Sequence, residues 1–334
     1  MMTTVLYTEP MYADDSVERE VFGPAVRVLM RAPARLADLA AEDCAEVDGL
    51  MLFRLWASAA ELARFPRLRA IVRMGVGYDR IDRAAAAARG ILVCNVPDYG
   101  TMEVADHAIA LALTLRRGIL LHHETQRHDP PAAWEVIASP LIRRLGVQTF
   151  GVVGLGRIGT AAALRAKALG FRVAFFDPYR PNGTELALGL ERERTLAGLL
   201  ARADVLSLHA PLTAETRGLI GARELALLPA GAVVVNTARG PVLDLDALAA
   251  ALQSGHVAGA GLDVLPTEPP EPVPDLLRAY RAREAWLEGR LVITPHSAFH
   301  SPEAWEDIRR KSAETMAAAL LTNRPQNVIA PELG

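Results

Sequence analysis

Short, nearly unbroken apolar runs recur along the chain, separated by alanine-rich stretches with helical spacing. The runs are VLYTE (5–9), GLMLF (49–53), RAIVRMG (69–75), ILVCNV (91–96), FGVVGL (150–155), RVAFFD (172–177), DVLSLHA (204–210), AVVVNTA (232–238), AGAGLDV (258–264) and LVITP (291–295). Apolar residues follow one another instead of alternating with polar ones, which is how strands covered by helices on both faces read. Between them, IDRAAAAARG, GRIGTAAALRAKALG and LDLDALAAALQSG predict helices. Strand–helix alternation predicts an α/β fold on parallel, doubly wound sheets.

From Met102 to His128 apolar positions keep helical spacing as far as Leu121, and the stretch predicts one long helix. The Pro-containing DPPAAWEVIASPLIRRL that follows reads as an inter-domain connection with an exposed arm. At the far end, SPEAWEDIRRKSAETMAAALL (301–321) starts with a serine cap and Pro302 in the first helical position, predicting a final amphipathic helix.

Composition narrows the classes. A chain of 334 residues is long enough for about two domains. With 51% hydrophobic and 22% charged residues it is not a disordered protein. A net charge of −3 argues against a dedicated nucleic-acid surface. Two cysteines, Cys44 and Cys94, with no CxxC, give no basis for a disulfide framework or structural zinc. The opening MMTTVLYTEP lacks a basic stretch followed by an apolar run, so no secretory leader is expected. No apolar stretch approaches the ~20 residues of a membrane span, and a cytoplasmic location is expected. His122, His123 and His128 read as exposed helix or arm residues, not as a metal site.

One motif carries specific chemistry. Gly154-Leu155-Gly156-Arg157-Ile158-Gly159 follows a strand and opens a helix, the context a dinucleotide-binding turn requires. Gly154 permits the tight turn, Gly156 lets backbone approach a pyrophosphate, and Gly159 permits close helix–strand packing. The next strand ends at Asp177, placed to accept ribose hydroxyls and to repel a 2′-phosphate, which predicts NAD over NADP. Arg180 stands nearby in DPYRP.

Three further polar residues stand just past strand ends: Arg239 after VVVNTA, Glu268 after GLDVLPT and His296 after LVITP. In a parallel sheet these ends lie on the carboxyl edge, where ligands bind, so the three could converge. Singly, each also reads as a surface ion pair, a loop charge or a helix-flanking histidine.

With the glycine turn they form a larger pattern. RMGVGYDRID (73–82), VCNVPDYGTMEVAD (93–106), GVVGLGRIG (151–159), FFDPY (175–179), LHAPLTAETRGLI (208–220), VVNTARGPVLD (234–244), GLDVLPTEP (261–269) and TPHSA (294–298) together resemble the D-isomer-specific 2-hydroxyacid dehydrogenase family, over almost the whole chain and in the family's order. Arg73 before GVG, CNVPDY and HSAFHS resemble its C-terminal-binding-protein-like branch.

The resemblance implies an NAD-dependent enzyme that interconverts a small 2-oxo acid and its D-2-hydroxy acid. It implies His296 as acid/base, Glu268 as its partner, and Arg239 as the residue that binds the substrate carboxylate and polarises its carbonyl. Val76 and Gly77, with Arg73 as a second cation, are implied at the substrate. Leu155, Arg157, Ile158, Ala210, Pro211, Thr216, Thr237, Ala238 and Asp263 are implied along the dinucleotide. His209, at the end of LSLHA, is expected near the nicotinamide, mainly through its backbone. A substrate domain of residues 1–102, completed by 298–334, would flank an NAD-binding domain of residues 103–297. The arm around 118–145 resembles a dimer contact, so a homodimer is expected.

The chemistry is consistent with these roles. Reduction of a 2-oxo acid leaves charge on the C2 oxygen, which needs a proton donor and a nearby cation. The chain departs from the branch at Phe299, where a tryptophan is often found, and in its longer 269–290 segment, expected to add a helix near the mouth or edge of the cleft. A dinucleotide-sensing scaffold with little turnover is the alternative reading.

Overall fold

The computed structural model describes residues 2–128, 134–322 and 324–331. The chain divides into two compact units, one of residues up to Gly100 and from His300 onward, the other spanning Thr101–Phe299. Both are α/β units on wholly parallel sheets.

In the first unit the strands are β1 (Thr3–Tyr7), β2 (Val26–Met30), β3 (Gly49–Leu52), β4 (Ala70–Arg73) and β5 (Leu92–Asn95), ordered β2-β1-β3-β4-β5. One face packs through Leu6, Leu50, Ile71 and Val93 into a core with Leu62 and Phe65. Cys94 is wholly buried, and burial pushes its thiol up to about 11, so it is a small core residue. The final helix, Pro302–Leu320, is capped by Ser301, whose hydroxyl accepts from the Ala304 N–H. Its Arg309 forms a buried pair with Glu18 of the helix Ser16–Phe22 at 2.7 Å, joining the two ends of the chain within this unit.

The second unit contains β6 (Thr149–Val153), β7 (Arg172–Phe176), β8 (Glu191–Arg192), β9 (Val205–Leu208), β10 (Ala232–Asn236), β11 (Val257–Leu262) and β12 (Leu291–Ile293), ordered β12-β11-β10-β9-β6-β7-β8. Apolar cores lie on both sheet faces: Leu206, Val234 and Leu262 belong to one, Val152, Val205 and Val235 to the other. This two-sided burial is the reason for the unbroken apolar runs.

The single helix expected over 102–128 is instead two, Thr101–Arg116 and Ile119–Gln126. Gly118 between them has φ +62°, outside the range a continuing right-handed helix allows, and a Cβ there would meet Ile142 at 2.7 Å. Within the expected arm at 118–145, residues 129–133 lie outside the described residues. In the 269–290 segment a helix forms at Asp275–Arg281; its Leu276 shares a core with Leu248 and Leu252 of the helix Leu245–Gln253. No described helix is long and apolar enough to cross a membrane, and no group of metal-binding side chains occurs among the described residues.

Candidate active site

The turn after β6 sits against the ends of its neighbours. Gly154 has φ +88°, and a Cβ on it would lie 2.8 Å from the Ala210 nitrogen after β9. A Cβ on Gly159 would fall 2.0 Å from the Gly154 oxygen, so the turn closes only without side chains there. Gly156 differs: a Cβ on it would meet nothing closer than the Arg180 guanidinium at 3.9 Å. Gly156 also caps the helix Arg157–Ala168 without a side-chain hydrogen bond, leaving first-turn amides open to an anion. Arg157 is exposed and Ile158 half-buried. The buried Leu155 donates its N–H to Asp177 Oδ2 at 2.8 Å, and Tyr179 N–H donates to Oδ1 at 2.9 Å.

Farther along the edge, Thr237 is buried with a hydroxyl that has no partner among the described residues. Ala238 follows it, its N–H held by Asn236 Oδ1. Thr216 donates its hydroxyl to the Pro211 carbonyl at 2.5 Å, closing the loop after Ala210. His209 bonds Ser207 Oγ through Nε2 at 2.8 Å, and burial pushes its pKa down to about 4, so it is neutral near pH 7. An open glycine, uncapped helix amides, an acid at the neighbouring strand end and an orphaned buried hydroxyl fit a dinucleotide.

The three polar residues gather in this same unit. His296 Nδ1 lies 2.6 Å from Glu268 Oε2. Burial works to raise the Glu268 carboxyl. The hydrogen bond and charge of His296, the Leu265 N–H at 3.0 Å and the Arg239 guanidinium outweigh it and hold the group below the usual glutamate value. Glu268 is therefore ionised near neutral pH, and an ionised carboxylate only accepts, so the proton between them belongs to Nδ1.

Arg239 is carried on a turn that Asn236 brackets: its Nδ2 donates to the Arg239 carbonyl while its Oδ1 accepts from Ala238. The following Gly240 packs so closely on the segment leading to Glu268 that a Cβ would lie 2.0 Å from the Leu265 carbonyl carbon.

His296 has φ +51°, a left-handed conformation uncommon for a residue with a Cβ. Asp263 holds it there. The Asp263 carbonyl accepts the His296 N–H at 2.7 Å, and its carboxylate accepts from Thr294 Oγ1 at 2.6 Å, Ser297 N–H at 2.9 Å and Ala298 N–H at 3.0 Å. His107 Nε2 reaches Thr294 Oγ1 at 3.0 Å from the helix Thr101–Arg116. The Asp263 side chain is 1% exposed, and three of its roughly four acceptor positions are engaged. Sequence reasoning missed His107, Thr294 and Asn236 because their roles are to hold a turn. The closeness of Asn236 to Arg239 in VVNTARG was the available signal.

Phe299 is buried and stands edge-on to the His296 ring, 6.4 Å between centroids. His300 packs on Trp305 in the first unit. Arg73, Val76 and Gly77 also belong to the first unit. There, Arg73 lies over the Phe53 ring at 5.7 Å and donates to the Met74 carbonyl, and the Val76 carbonyl accepts from Asn95 at 2.7 Å.

Residues 109–298 match the profile of the D-isomer specific 2-hydroxyacid dehydrogenase NAD binding domain. The chain belongs to that family. It is 38% identical over 296 residues to a glyoxylate reductase of Korarchaeum cryptofilum, covering 87% of this chain and 84% of that one. Its fold matches the D-lactate dehydrogenase of Aquifex aeolicus, solved with NAD and lactic acid, with a TM-score of 0.84 at 28% identity, over 97% of this chain and 98% of the other. An NADPH-dependent glyoxylate/hydroxypyruvate reductase of Sinorhizobium meliloti, solved with NADP and malonate, matches with a TM-score of 0.82 at 30% identity, over 99% and 98% of the two chains. The protein is thus an NAD-dependent enzyme of this family; relatives named as reductases and dehydrogenases do not favour the scaffold alternative.

Proposed function

We propose that the protein reduces a small 2-oxo acid to its D-2-hydroxy acid with NADH, or runs the reverse, using His296, Glu268 and Arg239. The observation that carries the reading is the 2.6 Å contact between His296 and an ionised Glu268 beside Arg239, at the carboxyl edge of the dinucleotide sheet. The nicotinamide, when bound, supplies or takes the hydride. Glu268 accepts the Nδ1 proton and fixes the imidazole plane, leaving Nε2 to give a proton to the C2 oxygen during reduction and to take it back in oxidation. Arg239 grips the substrate carboxylate with its guanidinium fork and stabilises charge on the adjacent oxygen. Asp263 and the Thr294–His107 pair position His296 by holding its turn.

We assign the dinucleotide to the Gly154–Gly159 turn, Asp177, and the Ala210–Thr216 and Thr237–Ala238 loops, within an NAD-binding domain of residues 103–297. Arg73, Val76 and Gly77 are assigned to the substrate side by resemblance. RMGVGYD, CNVPDY and HSAFHS support placement in the C-terminal-binding-protein-like branch, and the arm after Gly118 supports a homodimer. Relatives named for glyoxylate, hydroxypyruvate and lactate support a short, unbranched 2-oxo acid as substrate. Steady-state kinetics of Arg239→Ala tests the assignment: kcat/KM falls at least about a hundredfold, with a raised KM for the 2-oxo acid. A variant with wild-type kcat/KM removes Arg239 from the substrate.

A further inference from the structure

The 269–290 segment walls a cavity of about 340 Å³ in the second unit, against the helix Ile119–Gln126. The cavity reaches Leu291, the first residue of β12, and so lies at the amino edge of the sheet, opposite the edge past which His296 stands. Its floor is apolar, with Leu287 and Leu291 both buried. Two of its carboxylates are occupied: Glu288 Oε1 stands 2.7 Å from His128 Nε2, and Glu284 Oε2 accepts from Trp286 Nε1 at 2.6 Å. Glu124, Arg281 and Arg283 line the same cavity, and their charged ends have no ion pair or hydrogen bond among the described residues.

Arg283 also stands in an unusual place. It is the second residue past the helix Asp275–Arg281 and has φ +55°. Its N–H donates to the Tyr280 carbonyl at 3.1 Å, and the next N–H, of Glu284, donates to the Ala279 carbonyl at 3.2 Å. That pair of bonds closes a helix end at a position glycine fills without steric cost. An arginine there is strained, and no polar contact of its side chain among the described residues offsets the strain.

We propose that this cavity binds a free α-amino acid with an apolar side chain: Arg281 and Arg283 take its carboxylate, Glu124 its ammonium, and Leu287 and Leu291 its side chain. The charges left without partners are two cations and one anion, which a zwitterion complements. A plain carboxylic acid would set its anion against Glu124, and a plain amine would set its cation against two guanidiniums. Arginine holds a carboxylate by a fork of N–H donors, which gives its strained placement a use. The apolar floor favours a long aliphatic side chain over a short one, because each buried methylene adds to binding. The site draws on neither the dinucleotide nor the 2-oxo acid, since it lies at the other edge of the sheet.

The test is isothermal titration calorimetry of the full chain, without nicotinamide or 2-oxo acid. The ligands are L-leucine, L-alanine, 4-methylpentanoate, which lacks the ammonium, and 3-methylbutylamine, which lacks the carboxylate. The wild type is expected to bind leucine with a Kd of about 1 mM or lower, and the other three about tenfold or more weakly. Arg283→Gly is expected to keep its melting temperature, because glycine takes φ +55° freely, and yet to lose about tenfold or more in leucine affinity. Glu124→Gln loses a similar factor, and Arg239→Ala binds leucine as the wild type does. A wild-type Kd weaker than about 1 mM overturns the proposal. So does equal binding of leucine and either truncated analogue, or unchanged leucine affinity in both Arg283→Gly and Glu124→Gln. A loss in Arg239→Ala also overturns it, by showing that leucine occupies the proposed substrate site. Because the readout is binding without cofactor, failure to turn over any 2-oxo acid counts against the proposed reaction and leaves this site standing.

Discussion

At the scale of single residues, the proposed acid/base chemistry depends on how His296 is held. Its positive φ would be unfavourable in isolation, and the hydrogen bonds to Asp263 on either side of it stabilise the turn. Glu268 fixes the ring from the other end. In Glu268→Gln the imidazolium loses its anionic partner, so the alkaline limb of the pH profile for 2-oxo acid reduction is expected to move to lower pH, with kcat reduced about tenfold or more. An unmoved profile would show that Glu268 does not act on the proton donor. Because the folded Glu268 carboxyl lies below its ordinary value, its contribution to stability is complete above that value and is lost as pH falls through the folded one. Arg239, Glu268 and His296 could be singled out as candidates in the sequence because charged residues just past apolar runs mark a parallel sheet's carboxyl edge. Asp263 also stood out in GLDV, but its grip on the Ser297 and Ala298 amides depends on how the chain turns after β12, which local pattern does not encode.

At the scale of elements, the site is assembled from loops that need close backbone approach. Gly240 is the clearest case, lying against the Leu265 carbonyl on the way to Glu268. Gly240→Ala forces these two loops apart. It is expected to cut kcat/KM by about tenfold or more through displaced Arg239 and Glu268, and to lower the unfolding midpoint by several degrees. A variant with unchanged kinetics and melting would contradict this packing. The central strands were readable because burial on both faces leaves unbroken apolar runs. The edge strands β2 and β8 were not: β2 mixes buried and exposed positions, and β8 has only two residues. The break after Arg116 was hidden because helical spacing continues through Gly118, and only its backbone angle ends the helix. Arg116, which reads from sequence as a polar flank, is instead fully buried, donating to the carbonyls of Gly231 at 3.0 Å, Pro140 and Asp204.

At the scale of the whole molecule, each unit has its own core, and the chain leaves the first unit at Gly100 and re-enters it at His300. Closure of the first unit depends on the final helix, whose Arg309 is tied to the buried Glu18 and stacks on Tyr12 at 4.5 Å. Arg309→Met strands a carboxylate in that core and is expected to cost about 3 to 5 kcal/mol in denaturant unfolding, much of which Glu18→Gln in the same chain restores. Equal stability of the single variant and the wild type would remove the pair from the account of this fold. The parallel α/β architecture was foreseeable from strand–helix alternation; the union of the first and last segments in one unit was expected only through the family resemblance, since local pattern does not encode contacts almost three hundred positions apart, such as Glu18 with Arg309.

The central claim is tested most directly by NADH oxidation with glyoxylate, hydroxypyruvate and pyruvate, run side by side on the wild type and His296→Ala at matched cofactor saturation. The wild type should reduce at least one of these acids to the D-hydroxy product, and the variant should retain NADH binding while losing about a hundredfold or more of kcat. Turnover in His296→Ala equal to the wild type would contradict the assignment of the proton donor, and no turnover by the wild type on any of the three would contradict the proposed reaction.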